Sequence, residues 1–272
     1  MSDLSPIALS PIIAGMASES TLATRLVAVD PTQPDPAVLA EAATLIQAGR
    51  LVAFPTETVY GLGANALDAD AVARIFAAKE RPAYDPVIVH VADAAELTDL
   101  TAALPDLGSL LIERFWPGPL TLVLPRSERV PDVVTAGGPT VAVRAPAHPL
   151  ARALLDAAGT PIAAPSANRF SHTSPTRAQH VWDDLAGRID MILDGGPTAV
   201  GVESTVLDLT TEPPTLLRPG GVTIEEIEAL IGPVQTSARR EDGNTLPAPG
   251  MLDRHYAPRA VLWLFTGEDD DL

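Results

Sequence analysis

The sequence predicts an α/β fold, a three-layer, twisted mixed β-sheet with helices on both faces and an open ligand cleft. Three observations support this prediction. Short apolar segments typical of buried strands alternate along the chain with amphipathic segments typical of helices. The links between these segments are short, which favours a mixed sheet over a regular parallel one. Hydrophobic residues make up 46% of the 272 residues, enough for a substantial core.

The first half of the chain has clear helix boundaries. Asp35 and Pro36 are typical of an N-cap and a first helical position, and Gly49 follows the expected helix end. We predict helices at 36–47, 68–78, 94–100 and 106–115. We predict strands at 25–30, 51–54, 87–91 and 120–124.

The second half continues the alternation of strands and helices. A glycine again follows a helical segment, at Gly159. We predict helices at 149–158, 178–185 and 224–231. We predict strands at 140–144, 162–164, 191–193, 204–208, 215–217 and 260–265. The Gly- and Pro-rich stretch at 233–250 is typical of a linker or lid.

Composition excludes several classes of protein. The formal net charge of −17 opposes tight non-specific binding to DNA or RNA. With no cysteine there are no disulfides, thiolate metal sites or cysteine nucleophile. No apolar run is long enough for a transmembrane helix. Because residues 1–20 lack a positive n-region, we interpret them as an extension and expect a cytoplasmic location.

Polar residues follow the predicted strand at 51–54. Thr56 and Thr58 precede Gly61 and Gly63, which indicates a polar turn able to bind a small ligand at the end of a sheet strand. The simpler interpretation is a turn capped by its threonines.

Two short motifs lie far apart in the chain. Lys79 and Arg81 place two cations at a helix end, where they could bind a phosphate or carboxylate or remain as a solvated helix terminus. Ser166 and Asn168 offer a hydroxyl and an amide on one side of an extended segment. Together the motifs could hold a polyphosphate.

Other strand ends carry further candidates. His90 lies on an apolar strand and is either a core residue or a ligand-binding group. Thr140 and Arg144 share one strand face, and Arg144 needs a bound carboxylate or an internal acid as its partner. Arg218 also ends a strand. Hydroxyls are supplied by Ser174, Ser204 and Thr205. The sequence contains no His-Glu-x-x-His motif, P-loop or Gly-x-Gly-x-x-Gly motif, and we predict no protein metal site.

These motifs, in order, resemble the YrdC-type domain of threonylcarbamoyl-AMP synthases from about 36 to 221. The segments that carry the resemblance are Pro55-Thr56-Glu57-Thr58-Val59-Tyr60-Gly61-Leu62, Lys79-Glu80-Arg81-Pro82, Val89-His90-Val91, Trp116-Pro117-Gly118-Pro119-Leu120-Thr121, Val143-Arg144-Ala145-Pro146, Pro165-Ser166-Ala167-Asn168, Glu203-Ser204-Thr205-Val206 and Leu217-Arg218-Pro219-Gly220. Residues 249–258 resemble the linker of the longer, two-domain members, which closes over the active site. The implied fold is YrdC/RibB-like.

The resemblance implies a nucleotidyltransferase that makes threonylcarbamoyl-AMP and pyrophosphate from L-threonine, bicarbonate and ATP. A downstream transferase complex would then modify tRNAs that read ANN codons. The resemblance assigns ATP contacts to Lys79, Arg81, Thr140, Ser166, Asn168, Ser174, Arg218 and Tyr256, with Lys79 and Arg81 as catalytic residues. It assigns the L-threonine site to Thr56, Thr58, His90, Arg144 and Ser204. Mg²⁺ is expected with ATP.

The resemblance also implies a domain division: an N-terminal extension at 1–24, a catalytic domain at 25–232, a linker or lid at 233–259, and a remnant or start of a C-terminal domain at 260–272. Asp85 departs from the family, which more often has a neutral or basic residue there. The alternatives are a related carbamoyltransferase that also forms a carbamoyl-adenylate, or an RNA-binding module. The former carries further domains absent from this sequence, and the net charge of −17 disfavours the latter.

Overall fold

The computed structural model describes residues 22–236. Within them, eleven strands form one sheet in the order β1-β8-β2-β3-β7-β4-β6-β5-β9-β10-β11. The strands are β1 (Arg25–Ala28), β2 (Val52–Pro55), β3 (Tyr60–Asn65), β4 (Val89–His90), β5 (Leu120–Pro125), β6 (Thr140–Arg144), β7 (Ile162–Ala163), β8 (Met191–Asp194), β9 (Thr205–Asp208), β10 (Thr215–Arg218) and β11 (Gln235–Thr236). Parallel pairs such as β4–β6 and antiparallel pairs such as β5–β6 both occur. The sheet is therefore mixed, as predicted.

The helices in the described part of the chain agree closely with the predicted positions. They are α1 (Pro36–Gln47), α2 (Ala69–Lys79), α3 (Leu97–Leu100), α4 (Asp106–Phe115), α5 (Asp132–Thr135), α6 (Pro149–Ala158), α7 (Ala178–Leu185) and α8 (Ile224–Ile231), with a 3₁₀ turn at Ala94–Glu96. The Asp35 side chain accepts a hydrogen bond from Ala37 N and begins α1. Gly159, with φ of 59°, ends α6.

Alternate residues of the central strands pack on opposite faces of the sheet. On one face, Phe54 joins buried residues of α1 and α6. On the other, Ala53 joins buried residues of α2, α4 and α7. Because side chains alternate along a strand, this arrangement covers both faces with helices and produces the predicted three layers.

The predicted turn after β2 is wrong in its second half. Gly61 and Gly63 lie in strand β3, which pairs antiparallel with β2. A Cβ atom on Gly63 would lie 2.8 Å from Phe54 Cε1 and 2.9 Å from Ile162 Cγ2. The glycine therefore makes room for neighbouring side chains within the sheet, a role that its sequence context does not reveal.

Two short elements were not predicted. Helix α5 follows β5, and β11 at Gln235–Thr236 lies inside the predicted linker. Three predictions concern residues outside the described part of the chain: the predicted strand at 260–265, Tyr256, and the N-terminal extension except for its last residues, 22–24. No helix among residues 22–236 is long and apolar enough to span a membrane.

Candidate active site

The ends of several strands converge on one open cleft, which we call the central cleft. Its charged or ionisable lining residues are Arg81, His90, Arg144, Glu203 and Arg218. Its hydroxyl groups belong to Thr56, Thr58, Ser166 and Ser204. Its apolar lining is Val59, Gly61, Ile88, Ala164 and Pro165. Residues from both halves of the chain therefore surround one cavity.

Ser166 reaches the cleft because its segment continues alongside strand β3. Leu62 N donates a hydrogen bond to Pro165 O at 2.8 Å, and a β-bridge pairs Gly61 with Ser166. A Cβ atom on Gly61 would lie 3.3 Å from Ala164 Cβ. The small residue at this position lets the Ser166 segment approach the strand closely.

Lys79 binds the backbone of this same segment. Its Nζ donates to the carbonyl oxygens of Ser166 and Asn168, each at 2.5 Å. The side chain is 1% exposed, so the interpretation of a solvated helix end is wrong. Burial, and then the nearby Arg81, hold the pKa of Lys79 well below its usual range, while Asp85 acts in the opposite direction. Lys79 thus binds the backbone of Ser166, which lines the cleft, but Lys79 is not itself a lining residue.

The polar loop after Ser166 is fixed by its own hydrogen bonds. Asn168 Nδ2 donates to the carbonyl oxygens of Arg169 and His172, both at 2.8 Å. Asn168 Oδ1 is buried and has no hydrogen-bond partner among the described residues. Ser174 Oγ donates to Glu203 Oε1, which joins this loop to the chain entering β9. Asn168 is not itself a lining residue of the cleft, and its amide holds the loop that follows Ser166.

Arg81 is held by its own loop. Its Nη2 lies 2.9 Å from Asp85 Oδ2 and 2.7 Å from Pro86 O, and its Nε donates to Asp85 O at 3.1 Å. The Asp85 side chain is fully buried. The acid that departs from the family pattern therefore pairs with the predicted catalytic arginine. These contacts fix the position of the Arg81 guanidinium in the wall of the cleft.

Arg144 has the internal partner that we considered as one alternative. Its Nη2 lies 2.6 Å from Glu57 Oε1, its Nη1 donates to Thr58 Oγ1 at 3.0 Å, and its Nε donates to Gly118 O at 3.1 Å. Burial, and to a lesser degree Arg218, lower the pKa of Arg144, whereas Glu57 raises it. The guanidinium has five N–H groups, so donors on both terminal nitrogens remain for a carboxylate ligand.

Arg218 is fixed beside β9. Its Nε and Nη2 donate to Ser204 O at 3.1 and 2.9 Å, and Nη2 also contacts Ser204 Oγ at 3.1 Å. Ser204 Oγ lies 2.8 Å from Thr121 Oγ1. One arginine and one hydroxyl are therefore locked together at this side of the cleft.

His90 is a buried residue that also lines the cleft. It is 3% exposed and packs edge-on against Phe54, yet it lines the cleft. Burial, and then Arg144, lower its pKa to about 3, so the ring is neutral at pH 7. Its Nδ1 is buried without a hydrogen-bond partner among residues 22–236. A neutral imidazole with a free ring nitrogen can bind a ligand hydroxyl or carboxylate.

Thr56 and Thr58 also serve two purposes. Thr56 Oγ1 donates to Val59 O at 2.7 Å and lies 2.8 Å from Thr58 Oγ1. Thr58 Oγ1 accepts from Arg144. The threonines therefore stabilise the turn, as the simpler interpretation had it, while they also line the cleft.

The structure brings most of the predicted site residues together, although their roles remain predictions. All five residues of the predicted threonine site line the central cleft, as do Arg81, Ser166 and Arg218 from the predicted ATP site. Lys79 and Ser174 bind lining residues, and Asn168 adjoins Lys79. Thr140 is at the opposite end of β6 from Arg144 and does not line the cleft. Tyr256 lies outside the described residues.

Two acidic residues were missed by sequence analysis. Glu57 pairs with Arg144, and Glu203 lines the cleft. Both lie in motifs that carry the family resemblance, beside Thr56 and Ser204. Their position next to predicted ligand hydroxyls was the available signal, but it did not distinguish them from solvated acids.

The fold and the cleft define a class of protein: an α/β protein whose converging strand ends build a polar site with three arginines and one neutral histidine, suited to an anionic ligand. A family model described as telomere recombination matches residues 44–220. A second model, described as the C-terminal domain of threonylcarbamoyl-AMP synthase, matches residues 222–272.

Relatives identify the family within this class. The threonylcarbamoyl-AMP synthase of Pyrococcus abyssi is 55% identical over 231 residues, which cover 84% of this chain and 68% of that protein. The Bacillus subtilis protein of the same name is 53% identical over 234 residues, which cover 85% of this chain and 68% of that protein. The chain belongs to the threonylcarbamoyl-AMP synthase family. The predictions of this family and of an enzyme are thereby confirmed.

Solved structures agree with the fold. The crystal structure of P. abyssi Sua5 complexed with L-threonine has a TM-score of 0.83 at 53% identity, covering 87% of this chain and 69% of that one. The E. coli YciO structure, at 24% identity, has a TM-score of 0.67 over 75% of this chain and 99% of that one, which shows a shared fold alone.

Proposed function

We propose that this chain makes threonylcarbamoyl-AMP and pyrophosphate from L-threonine, bicarbonate and ATP. A downstream tRNA-modifying complex would use the product to form N6-threonylcarbamoyladenosine in tRNAs that read ANN codons. The observation that carries the proposal is the single central cleft, which gathers the five predicted threonine-site residues and three predicted ATP-site residues. An amino acid and a nucleotide bound there would be adjacent, as an adenylate-forming reaction requires.

The Arg144 side of the cleft supports binding of L-threonine, the ligand found in the P. abyssi structure. Donors remain on both terminal nitrogens of Arg144, and they can form a forked pair with an α-carboxylate. Its contacts with Glu57, Thr58 and Gly118 already fix the guanidinium, so little side-chain entropy is lost when a ligand binds. The neutral ring of His90 and the hydroxyl of Ser204 supply further polar contacts.

The Arg81 side of the cleft supports binding of the triphosphate. Attack of a carbamate oxygen on the α-phosphorus builds negative charge on the phosphoryl oxygens and on the departing pyrophosphate. Arg81 and Arg218 present fixed guanidinium groups toward the cleft. Lys79 holds the Ser166 segment, and a bound triphosphate would raise its depressed pKa and favour the ammonium form. This arrangement supplies preorganised positive charge for the transition state.

Mg²⁺ is proposed to arrive with ATP. Residues 22–236 contain no group of three or more His, Asp or Glu that could hold a metal ion. Protein-bound Mg²⁺ commonly keeps several waters and takes its other ligands from substrate phosphates. A nucleotide-borne ion is therefore compatible with this site.

The remaining parts of the proposal extend beyond the cleft. We propose a catalytic domain at 25–232, followed by a linker at 233–259 that excludes water from the short-lived carbamate, and a remnant or start of a C-terminal domain at 260–272. Tyr256 would contact the nucleotide from this linker. We also propose a cytoplasmic location, where tRNA and ATP are available.

The test is pyrophosphate release in complete mixtures and in mixtures that lack one component. Release should require ATP, L-threonine and bicarbonate together, and L-serine should substitute poorly. Pyrophosphate release that does not depend on threonine would contradict the proposal. Tight, salt-dependent RNA binding without such release would instead favour the RNA-binding alternative.

A further inference from the structure

Positively charged side chains outnumber negatively charged ones among the described residues that line the central cleft. Three arginines line it, and His90 is neutral at pH 7. Among its described lining residues, Glu203 is the only carboxylate. This suits two anionic ligands, but an amino acid also carries a positive α-ammonium group, which needs an acceptor when it leaves water.

Glu203 is held next to the residues of the predicted threonine site. Its backbone oxygen accepts a hydrogen bond from Gly221 N at 3.0 Å, and its Oε1 accepts one from Ser174 Oγ. The next residue, Ser204, is bound to Arg218. The carboxylate therefore has a fixed position beside a hydroxyl and a guanidinium that face the same cavity.

The other nearby acid is already engaged. Glu57 Oε1 pairs with Arg144 at 2.6 Å, and Oε2 accepts a hydrogen bond from Ala147 N at 3.1 Å. Glu57 does not line the cleft. Both of its oxygens thus stabilise the protein, whereas the Glu203 side chain lines the cleft in which the substrates are proposed to bind.

The chemistry requires a proton acceptor. An α-ammonium group has no lone pair and cannot attack bicarbonate until it loses a proton. In a balanced sequence, the carboxylate takes one proton from the ammonium. The free amine then forms a C–N bond with bicarbonate, water leaves, and a carbamate with one negative charge remains. The carbamate oxygen next attacks the α-phosphorus of ATP and displaces pyrophosphate.

We propose that the Glu203 carboxylate binds the α-ammonium group of the amino-acid substrate and accepts its proton, which makes Glu203 a catalytic residue. This inference rests on the proposed function. Its basis is the position of Glu203, the single carboxylate among the residues of 22–236 that line the cleft; the other ionisable groups among them are three arginines and a neutral histidine. A general base of this kind contributes about 10²- to 10⁴-fold to a rate.

The test is the pH dependence of Glu203→Gln, which keeps the shape of the side chain and can still accept from Ser174. At pH 7 its threonine-dependent pyrophosphate release should fall about 10²- to 10⁴-fold. As the pH rises, the substrate amine loses its proton without help, and the ratio of wild-type to variant rates should fall by about tenfold per unit below the amine pKa. Using the ratio cancels the pH dependence of bicarbonate.

Two further variants complete the experiment. Glu203→Asp keeps a carboxylate and should recover part of the rate at pH 7, and Glu225→Gln removes an exposed carboxylate from α8 and should behave like wild type. Protection of each variant by ATP in thermal unfolding confirms its fold. A ratio of wild-type to Glu203→Gln rates that stays constant across pH would overturn the inference. So would recovery of the Glu203→Gln rate at higher Mg²⁺ concentration, because the carboxylate would then act on the metal and not on the substrate proton. If wild-type release does not need threonine, the proposed function itself fails.

Discussion

Two groups of residues at the wall of the central cleft each contain a buried pair, formed by an arginine that lines the cleft and a carboxylate behind it. In the first group, Arg81 pairs with Asp85, four residues along the same loop. In the second, Arg144 at the end of β6 pairs with Glu57, which lies between β2 and β3. The first pair stabilises one loop through local contacts, whereas the second connects distant strands. The comparison shows that the same chemical pair can fix a single loop at one place and join distant strands at another.

The pairs also differ in how completely they are enclosed. Side-chain exposure is 3% for Arg81 and 0% for Asp85, against 4% for Arg144 and 13% for Glu57. Separating charges in the more enclosed pair should cost more folding free energy, because less water is available to solvate the remaining ion. Separating the charges of Arg144 and Glu57 should weaken ligand binding more than it lowers the free energy of unfolding.

The largest effect is expected at Lys79, which belongs with the first pair and is the only lysine in the chain. Lys79→Ala should lose most turnover, at least about 100-fold, because the Ser166 segment, which lines the cleft, loses its anchor and shifts out of position. Pyrophosphate release measures this effect. Arg114→Ala, on the exposed part of α4, is the control. Wild-type turnover in Lys79→Ala would remove the residue from the mechanism.

Arg81→Ala should lose most turnover and also lower the free energy of unfolding by about 3–5 kcal/mol, since Asp85 stays buried without its guanidinium. Urea unfolding measures the change. The double variant Arg81→Ala with Asp85→Ala should recover part of the stability but none of the activity. If the single and the double variant have the same free energy of unfolding, then the unpaired Asp85 carboxylate does not destabilise the fold as argued.

Arg144→Lys should raise the KM for threonine about 10- to 100-fold, because an ammonium cannot replace a forked guanidinium between Glu57 and a ligand carboxylate. The KM for ATP should change little. Glu57→Gln, which weakens the orientation of Arg144 but leaves its donors, should have a smaller effect in the same direction. Equal changes in both KM values would mean that the two groups are not functionally distinct.

The smallest effect concerns His90, whose pKa of about 3 in the folded protein is below the value of about 6.5 expected when unfolded. The unfolded chain therefore binds a proton first as the pH falls, and His90 stabilises the fold above pH 6.5 but less toward pH 3. When the pH is lowered from 7 to 5, the free energy of unfolding should decrease in both proteins. The decrease should be smaller in His90→Gln than in wild type, by up to about 2 kcal/mol. Urea unfolding at both values tests this, and identical losses would contradict it.

Local signals were sufficient for much of the fold. The bounds of α1, α4, α6, α7, α8 and β6 agree with the sequence-based prediction. Their ends are marked by residues such as Asp35 and Gly159, whose capping depends on neighbours within one turn. Strand β3 was missed because its glycines resemble a turn, and only the positions of Phe54 and Ile162 explain why glycine is required within the strand.

The candidate site divides in the same way. The alternation of strands and helices and the residue types at strand ends could be predicted from the sequence, because these depend on local order and periodicity. The motifs at those strand ends carried the resemblance to the family. Three features became visible only in the folded protein: Lys79 holds a backbone segment from inside the protein, Glu57 is the partner of Arg144, and Glu203 lines the cleft. Such contacts join residues far apart in the chain, and their energies arise only when the sheet brings those residues together and excludes water.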